Sequence, residues 1–380
     1  MSAAQWRRAM SPGANPPASA GARRATAPAL APVDPHAHSN APRWLKFLWR
    51  TLAPRHVFVL AFVLLFPFVA TPFITFQVAA QSLVLGLIAL SLTFLGGYGG
   101  MVSLAQMTVA GMAGYAVAIL GTNSGGAEHA LGWPWWAAVP FAVLIATACA
   151  TLIGWLSVRT EGIYTIMITL AIGVAFYYLV LQNYSVFNGF QGLREVYPPK
   201  VFDIAWRDPV PFYFLCLTCA LGGYFLVRWV VRAPFGIALQ GIRDNPRRMA
   251  ALGFHVVAHR VAAYALAGVL AAVGGVLLVW YNGLITPGSV STSWLINILV
   301  VAVLGGMGHP IGAFLGAIVF VLLQTFAIDL IDRERFNLVI GGVFLAIVLF
   351  SPDGLLGLWA KLRSRFGPNQ ALTSQARRQP

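Results

Sequence analysis

The sequence predicts an all-α, polytopic membrane protein with about ten transmembrane segments (eight to ten) and glycine-rich broken helices. Three observations carry that prediction. Hydrophobic residues make up 58% of the 380 and charged residues only 9%, against roughly 25% charged in an average soluble domain, so the chain cannot build a solvated charged shell. The charges are also clustered: residues 60–100, 101–127, 129–158 and 162–193 contain no Asp, Glu, Lys or Arg. Uninterrupted apolar runs of about 18 residues or more read as membrane-spanning helices. A β-barrel would instead show alternating segments of about 10 residues, and none is present.

Taken from the N-terminus, residues 1–56 form a segment apart, rich in Ala, Pro and Arg. It carries eight Lys/Arg (Arg7, Arg8, Arg23, Arg24, Arg43, Lys46, Arg50, Arg55) against the single acid Asp34. No apolar core of about 7–15 residues precedes a small-residue cleavage site, so a secretory signal is not expected. The expectation is a basic, largely disordered cytoplasmic tail to about residue 40, with Arg43–Arg50 lying at the membrane surface.

Spans are expected near 57–75, 77–95, 101–121, 134–157, 162–183, 211–231, 259–281, 294–304, 311–328 and 337–356. The eighth is short and ends at Gly305-Gly306-Met307-Gly308-His309-Pro310, so a half-helix or re-entrant segment is expected there. Such backbone is tolerated at membrane depth only where protein or a water-filled cavity shields it. With the N-terminus inside, ten crossings leave inside the three most basic regions, residues 1–56, 228–260 and 361–378, which hold eight, six and five of the 25 Lys/Arg. Excess Lys/Arg on cytoplasmic loops is the general bias that sets orientation. The same bias accounts for the net charge of +14 without invoking nucleic acid. A multi-pass protein of the inner (cytoplasmic) membrane with both termini cytoplasmic is therefore expected: a transmembrane domain over 57–358, an inside loop at about 232–258, and a basic tail at 359–380. Leu95-Gly96-Gly97-Tyr98-Gly99-Gly100 and Leu304-Gly305-Gly306-Met307-Gly308-His309 share an L-G-G-x-G pattern. Interrupted segments at corresponding places in two halves can mark a transport pathway, or simply connect close-packed helices.

Reactive groups are sparse. The polar residues inside spans, among them Gln81, Ser91, Thr93, Ser103, Gln106, Thr108, Thr165, Thr169, Gln182, Asn297 and Gln324, suit hydrogen bonds between helices and have no charged partner at mid-membrane depth. No catalytic cluster and no metal site is expected. Cys149, Cys216 and Cys219 sit in apolar runs and read as buried structural cysteines, although the last two form a C-x-x-C. Asp329 and Asp332 fall in a short loop with Arg333 and Arg335, and Arg159 and Glu161 flank a cytoplasmic boundary. Ser103, Gln106, Tyr164 and Thr169 lie near glycine-rich segments or in segments that resemble a known family, and are the candidates for lining a solute passage.

The inside loop is the most informative stretch. It runs Pro234-Phe-Gly236-Ile-Ala-Leu-Gln-Gly241-Ile242-Arg243-Asp244-Asn245-Pro246-Arg247-Arg248-Met249-Ala250-Ala251-Leu252-Gly253-Phe254. Pro234 and Gly236 break the sixth span. Asp244 or Asn245 can cap a new helix with Pro246 in its first turn, and Gly253 is a suitable stop. The expectation is a short, basic helix parallel to the membrane surface.

This loop pattern resembles the permease subunits of branched-chain amino-acid ABC importers of the LivM type. Gly97–Gln106, Arg159–Leu170, Leu304–Ala313 and Ser351–Leu358 fit the same family in the same order, so the likeness covers roughly residues 57–360. The resemblance implies a transport subunit, not an enzyme. It would pair with a second, homologous permease (a heterodimer), two cytoplasmic ATPase subunits and an extracytoplasmic solute-binding protein within the lipid bilayer. ATP and Mg would be used by the ATPases, with no cofactor bound by this chain, which has no G-x-x-x-x-G-K-[ST] phosphate loop. The resemblance maps the ATPase-coupling element onto Gly241, Ile242, Arg243, Asp244, Asn245, Arg247, Arg248, Ala250, Ala251 and Gly253. The chain departs from the family at Ala105-Gln106-Met107, where Gly-His-Ala is common, and in its longer N-terminal segment. The implied solutes are branched-chain amino acids or related amino acids, amides or urea. The contrasting class, an ion- or proton-coupled secondary transporter, would ordinarily place ionisable residues inside its spans.

Overall fold

The computed structural model describes residues 63–121, 131–160, 162–199 and 205–330, and beyond these only residues 341, 342, 345, 349 and 354–357. The expected N-terminal tail (1–56), most of the tenth span (337–356) and the C-terminal tail (359–380) lie outside the described residues.

The described part is a bundle of mostly apolar helices with one two-residue strand pair. Residues 63–69 are helical, and the chain breaks at 70–71. α1 (Ile74–Tyr98) follows, with a π-helical first stretch at Ile74–Ala80, a regular centre at Gln81–Thr93 and a π-helical end at Phe94–Tyr98. α2 is Gln106–Leu120, α3 Trp135–Ser157, α4 Ile163–Gln182 and α5 Pro209–Arg232. Two short helices, α6 (Pro234–Asp244) and α7 (Pro246–Ala251), precede α8 (Val256–Asn282), α9 (Thr292–Gly305) and α10 (Pro310–Leu330). Five of these, α1, α3, α4, α5 and α8, are long and apolar enough to cross a membrane. α2 and α9, with 15 and 14 residues, extend only about 21–22 Å. α9 and α10 turn by 117° at the 306–309 break, so the short eighth segment is one arm of a sharp elbow.

α1 and α8 form the core. α8 packs against α3, α2 and α1, and α1 against α10, α9 and α5. A helix that is apolar all round belongs in such an interior, and Val84, Leu85, Ile88, Leu90 and Leu95 of α1 are fully buried. Lipid offers no hydrophobic drive for helices to associate, so close approach at small residues does that work. At Gly275 of α8 a side chain would collide with the backbone carbonyl of Ala110, and at Gly305 of α9 with that of Gly312. α4, by contrast, is largely exposed and peripheral.

The loops alternate between the two ends of the bundle. At one end, β1 (Leu193–Arg194) pairs antiparallel with β2 (Leu284–Ile285), Leu193 opposite Ile285. There Val196 N–H donates to Gly283 O at 3.1 Å, and Trp133 N–H donates to Leu120 O at 2.8 Å. At the other end the 97–105 segment, α6 with α7, and the 306–309 elbow gather. That second end holds Arg159, Arg228, Arg232, Arg243, Arg247, Arg248 and Arg260 with Asp244, whereas the first holds Arg194, Arg207, Glu195 and Asp208 among the described residues. Exposed tryptophans mark two levels between these ends: Trp135 and Trp136 open α3, and Trp155 closes it beneath the Arg159 guanidinium, which stacks 4.5 Å above its ring. From Trp136 to Trp155 the helix rises about 28 Å, the thickness of a bilayer's hydrocarbon core with an aromatic belt at each face.

Candidate functional site

The basic end is built by proline and asparagine punctuation. Ala233 is extended (φ −71°, ψ 160°), and Pro234 opens α6, where its missing N–H costs no hydrogen bond. α6 seats one face on the bundle through Gly236, Ala238, Leu239 and Ile242, the last two fully buried. Burying a Leu or Ile side chain contributes about 1.5–3 kcal/mol, so this helix is fixed to the bundle. Gln240 Nε2 adds bonds to Gly236 O (3.1 Å) and Val231 O (3.3 Å). At Asn245 the backbone turns extended (φ −155°, ψ 92°), and its Oδ1 accepts from Arg248 N–H at 3.0 Å as the cap of α7. Phe254 N–H returns to Met249 O at 3.1 Å across Gly253, whose φ of +90° suits only glycine well.

A short helix is therefore present at Pro246–Ala251, and the ten candidate coupling residues fall on α6, on α7 and at their caps. Gly241, Ile242, Arg243 and Asp244 close α6: Gly241 packs on Met249, Ile242 is buried, and Arg243 Nε pairs with Asp244 Oδ1 at 2.9 Å. Asn245 is the cap. Arg247, Arg248, Ala250, Ala251 and Gly253 are exposed on or after α7. An apolar rim that sequence reasoning missed, Ile237, Leu252, Phe254 and Val257, is exposed beside them.

Behind α6 lies the first glycine-rich break. The Arg243 guanidinium donates through NH1 to Gly97 O, and its methylenes lie against Gly100 (φ +67°). Leu239 faces Gly99, and Gly97 abuts the backbone of Met307. The two L-G-G-x-G segments thus touch each other, with Gly354 against Gly306 on the far side. A cavity of about 410 Å³ opens beside the second, lined by Val303, Gly306, Met307, Gly308, His309, Leu356 and Gly357. Burial and the nearby Arg228 charge hold the His309 imidazole below its ordinary range. Its Nδ1 accepts from Ile311 N–H at 3.3 Å, as a neutral ring can.

From Gly100 the chain runs non-helically to Ala105 and delivers Ser103 and Gln106 into a polar junction. Ser103, Gln106, Thr169 and Ser91 are all buried. The single Ser91 hydroxyl hydrogen faces Ile88 O at 2.6 Å and Gln106 Oε1 at 3.0 Å. Thr169 Oγ1 accepts from Leu104 N–H at 3.1 Å and donates to Ile166 O at 3.0 Å, pinning α4 to the break. Tyr264 of α8 is also buried there, its hydroxyl near Ser103 and Ser157. Thr93 and Thr108 on the same helices carry buried hydroxyls with no hydrogen-bond partner among the described residues. Three of the four candidate passage residues thus come together. Tyr164 does not: at 68% exposure it faces outward from the first turn of α4. Tyr264 was missed because its span is apolar throughout and gives no facial signal.

The family model described as "Branched-chain amino acid transport system / permease component" matches residues 74–348. The high-affinity branched-chain amino acid transport system permease protein LivM of Escherichia coli is 24% identical over 315 residues, 76% of this chain and 72% of the relative. A probable LivM permease of Methanocaldococcus jannaschii is 22% identical over 236 residues, 57% of this chain and 67% of the relative. From the same archaeon, a probable LivH permease is 27% identical over 161 residues, 40% of this chain and 49% of the relative. No solved structure matches the chain.

Proposed function

The chain belongs to the family of permease components of branched-chain amino acid transport systems, and on that premise we propose that it is the membrane-spanning subunit of an ATP-driven importer of branched-chain amino acids. The observation that carries the reading is the α6–α7 pair: a helix bolted to the bundle by Leu239 and Ile242, holding out a short capped helix with an exposed basic and apolar rim. A rigid element of this kind can transmit a partner's closure as a rigid-body push, and its rim suits a partner with acidic groups around an apolar cleft.

In this reading the arginine-rich end is cytoplasmic in the inner membrane, by the positive-inside bias, and two ATPase subunits dock there and use ATP and Mg. A solute-binding protein delivers cargo at the opposite end. A second permease completes the passage, and the joint likeness to LivM and LivH proteins supports a homologous, non-identical partner. Ser103, Gln106 and Thr169 contact the solute transiently through replaceable hydrogen bonds when the junction opens. The test is leucine uptake into proteoliposomes holding the chain with its native partners. Uptake should require ATP and persist after ionophores collapse every ion gradient. Uptake driven by a gradient without ATP would establish a secondary transporter instead.

A further inference from the structure

We infer that Arg243 is a positioning residue that ties the coupling element to the glycine break leading into the polar junction, and not a residue that grips the ATPase. The inference rests on the ATP-driven reading and assigns one side chain a role within it. Three contacts converge on Arg243. NH1 donates to Gly97 O, Nε pairs with Asp244 Oδ1 at 2.9 Å, and the methylene stem fills the space over Gly100. Gly100 has φ +67°, and a side chain there would strike the Arg243 stem, so the break is shaped to receive it. Leu239, one turn earlier on α6, covers Gly99. On its other side the break rests on Met307 through Gly97, so α6, the first break and the second elbow form one stack.

The direction of the side chain is what separates Arg243 from its neighbours. Arg243, Arg247 and Arg248 are all exposed, but the Arg243 guanidinium is tied back to a main-chain carbonyl of α1, whereas Arg247 and Arg248 stand on α7. Guanidinium is suited to this because its rigid fork donates in two directions at once. Ser103 lies three residues beyond Gly100, and Gln106 opens the next helix. A displacement of α6 that drags Gly97–Gly100 therefore moves Ser103 and Leu104, and through Leu104 N–H the Thr169 contact.

The experiment compares Arg243→Met, which keeps an apolar stem over Gly100 and removes every donor, with wild type in the purified complex in proteoliposomes. ATPase subunits should co-purify at the wild-type ratio and ATP hydrolysis should continue. Leucine imported per ATP hydrolysed should fall roughly tenfold, the scale set by losing one charge-assisted hydrogen bond. Arg243→Gln, whose shorter amide cannot span to Gly97, should behave alike and serves if the Met variant fails to insert. Loss of the ATPase subunits from either variant would make Arg243 a docking residue and overturn the inference. An unchanged leucine-to-ATP ratio would overturn it equally. The ATP requirement of the wild-type complex is read in the same vesicles, so a failure of the importer reading is distinguishable from a failure of this link.

Discussion

Replacing Gly97 by Ala tests whether the two glycine breaks meet in the working protein. An ideal Cβ on Gly97 would stand 2.0 Å from the Met307 carbonyl oxygen, where ordinary contact begins at 3.4 Å. The segments must therefore separate by about 1.4 Å, and neither side can yield by rotating a side chain, because the obstacle is backbone. Overpacking of this kind costs about 1–3 kcal/mol. The same shift pulls Gly97 O away from Arg243 and disturbs the approach to Ser103. Gly222→Ala is the matched control, since nothing lies within 4 Å of its added methyl, and Ala is favoured over Gly inside a helix by about 0.8–1.0 kcal/mol. Both variants are heated in detergent and the surviving monodisperse fraction read by size-exclusion chromatography, with leucine uptake measured in vesicles. Gly97→Ala should lose thermal stability and uptake together, while Gly222→Ala should equal or exceed wild type in stability. If Gly97→Ala matches wild type in both assays, the contact between the breaks is no part of the functional state.

Two further substitutions probe the ends of the proposed route. Ala251→Glu keeps a good helix former at an exposed position and leaves the positive-inside count unchanged, so insertion should be normal. An unpaired charge pressed into a packed interface costs about 3–5 kcal/mol, so the ATPase subunits should bind roughly a hundredfold more weakly or more and be lost on purification; wild-type transport with the ATPases bound would remove Ala251 from the docking surface. Gln106→Leu leaves Ser91 its bond to Ile88 O and should preserve assembly while changing the rate of uptake or the preference among leucine, isoleucine and valine. Uptake unchanged across that panel would return Gln106 to helix packing.

Much of the architecture is legible in the sequence because membrane helices announce themselves by length and by local punctuation. Pro234, the Asn245-Pro246 pair and Gly253 each stand where backbone chemistry requires them, and the structure breaks the chain there. The gathering of Ser103, Gln106 and Thr169 follows from polar residues having to find one another among apolar helices. Facing is less legible. α4 is apolar on every side, so nothing in its pattern told that Thr169 turns inward while Tyr164 turns out; the neighbours of α4 decide that. The region just after Gly100 is as apolar as a span and reads as one, yet it is non-helical until Gln106 because the chain must bend around α6 and Thr169. Arg243 lies four residues after Leu239, at the margin of the buried face of α6, a spacing that hints at its inward turn, but its acceptor is a main-chain carbonyl 146 residues away, which no local pattern encodes.

The central claim is that the exposed tip of α7 faces the cytoplasm and is covered by an ATPase. A single cysteine at position 251, in a chain with Cys149, Cys216 and Cys219 replaced by Ala, measures both halves of it with a membrane-impermeant thiol reagent. In right-side-out vesicles residue 251 should not label. In inside-out vesicles it should label rapidly after the ATPase subunits are stripped and slowly when they are bound. Labelling of residue 251 from the outside, or labelling from the inside that is indifferent to the ATPases, would contradict the account.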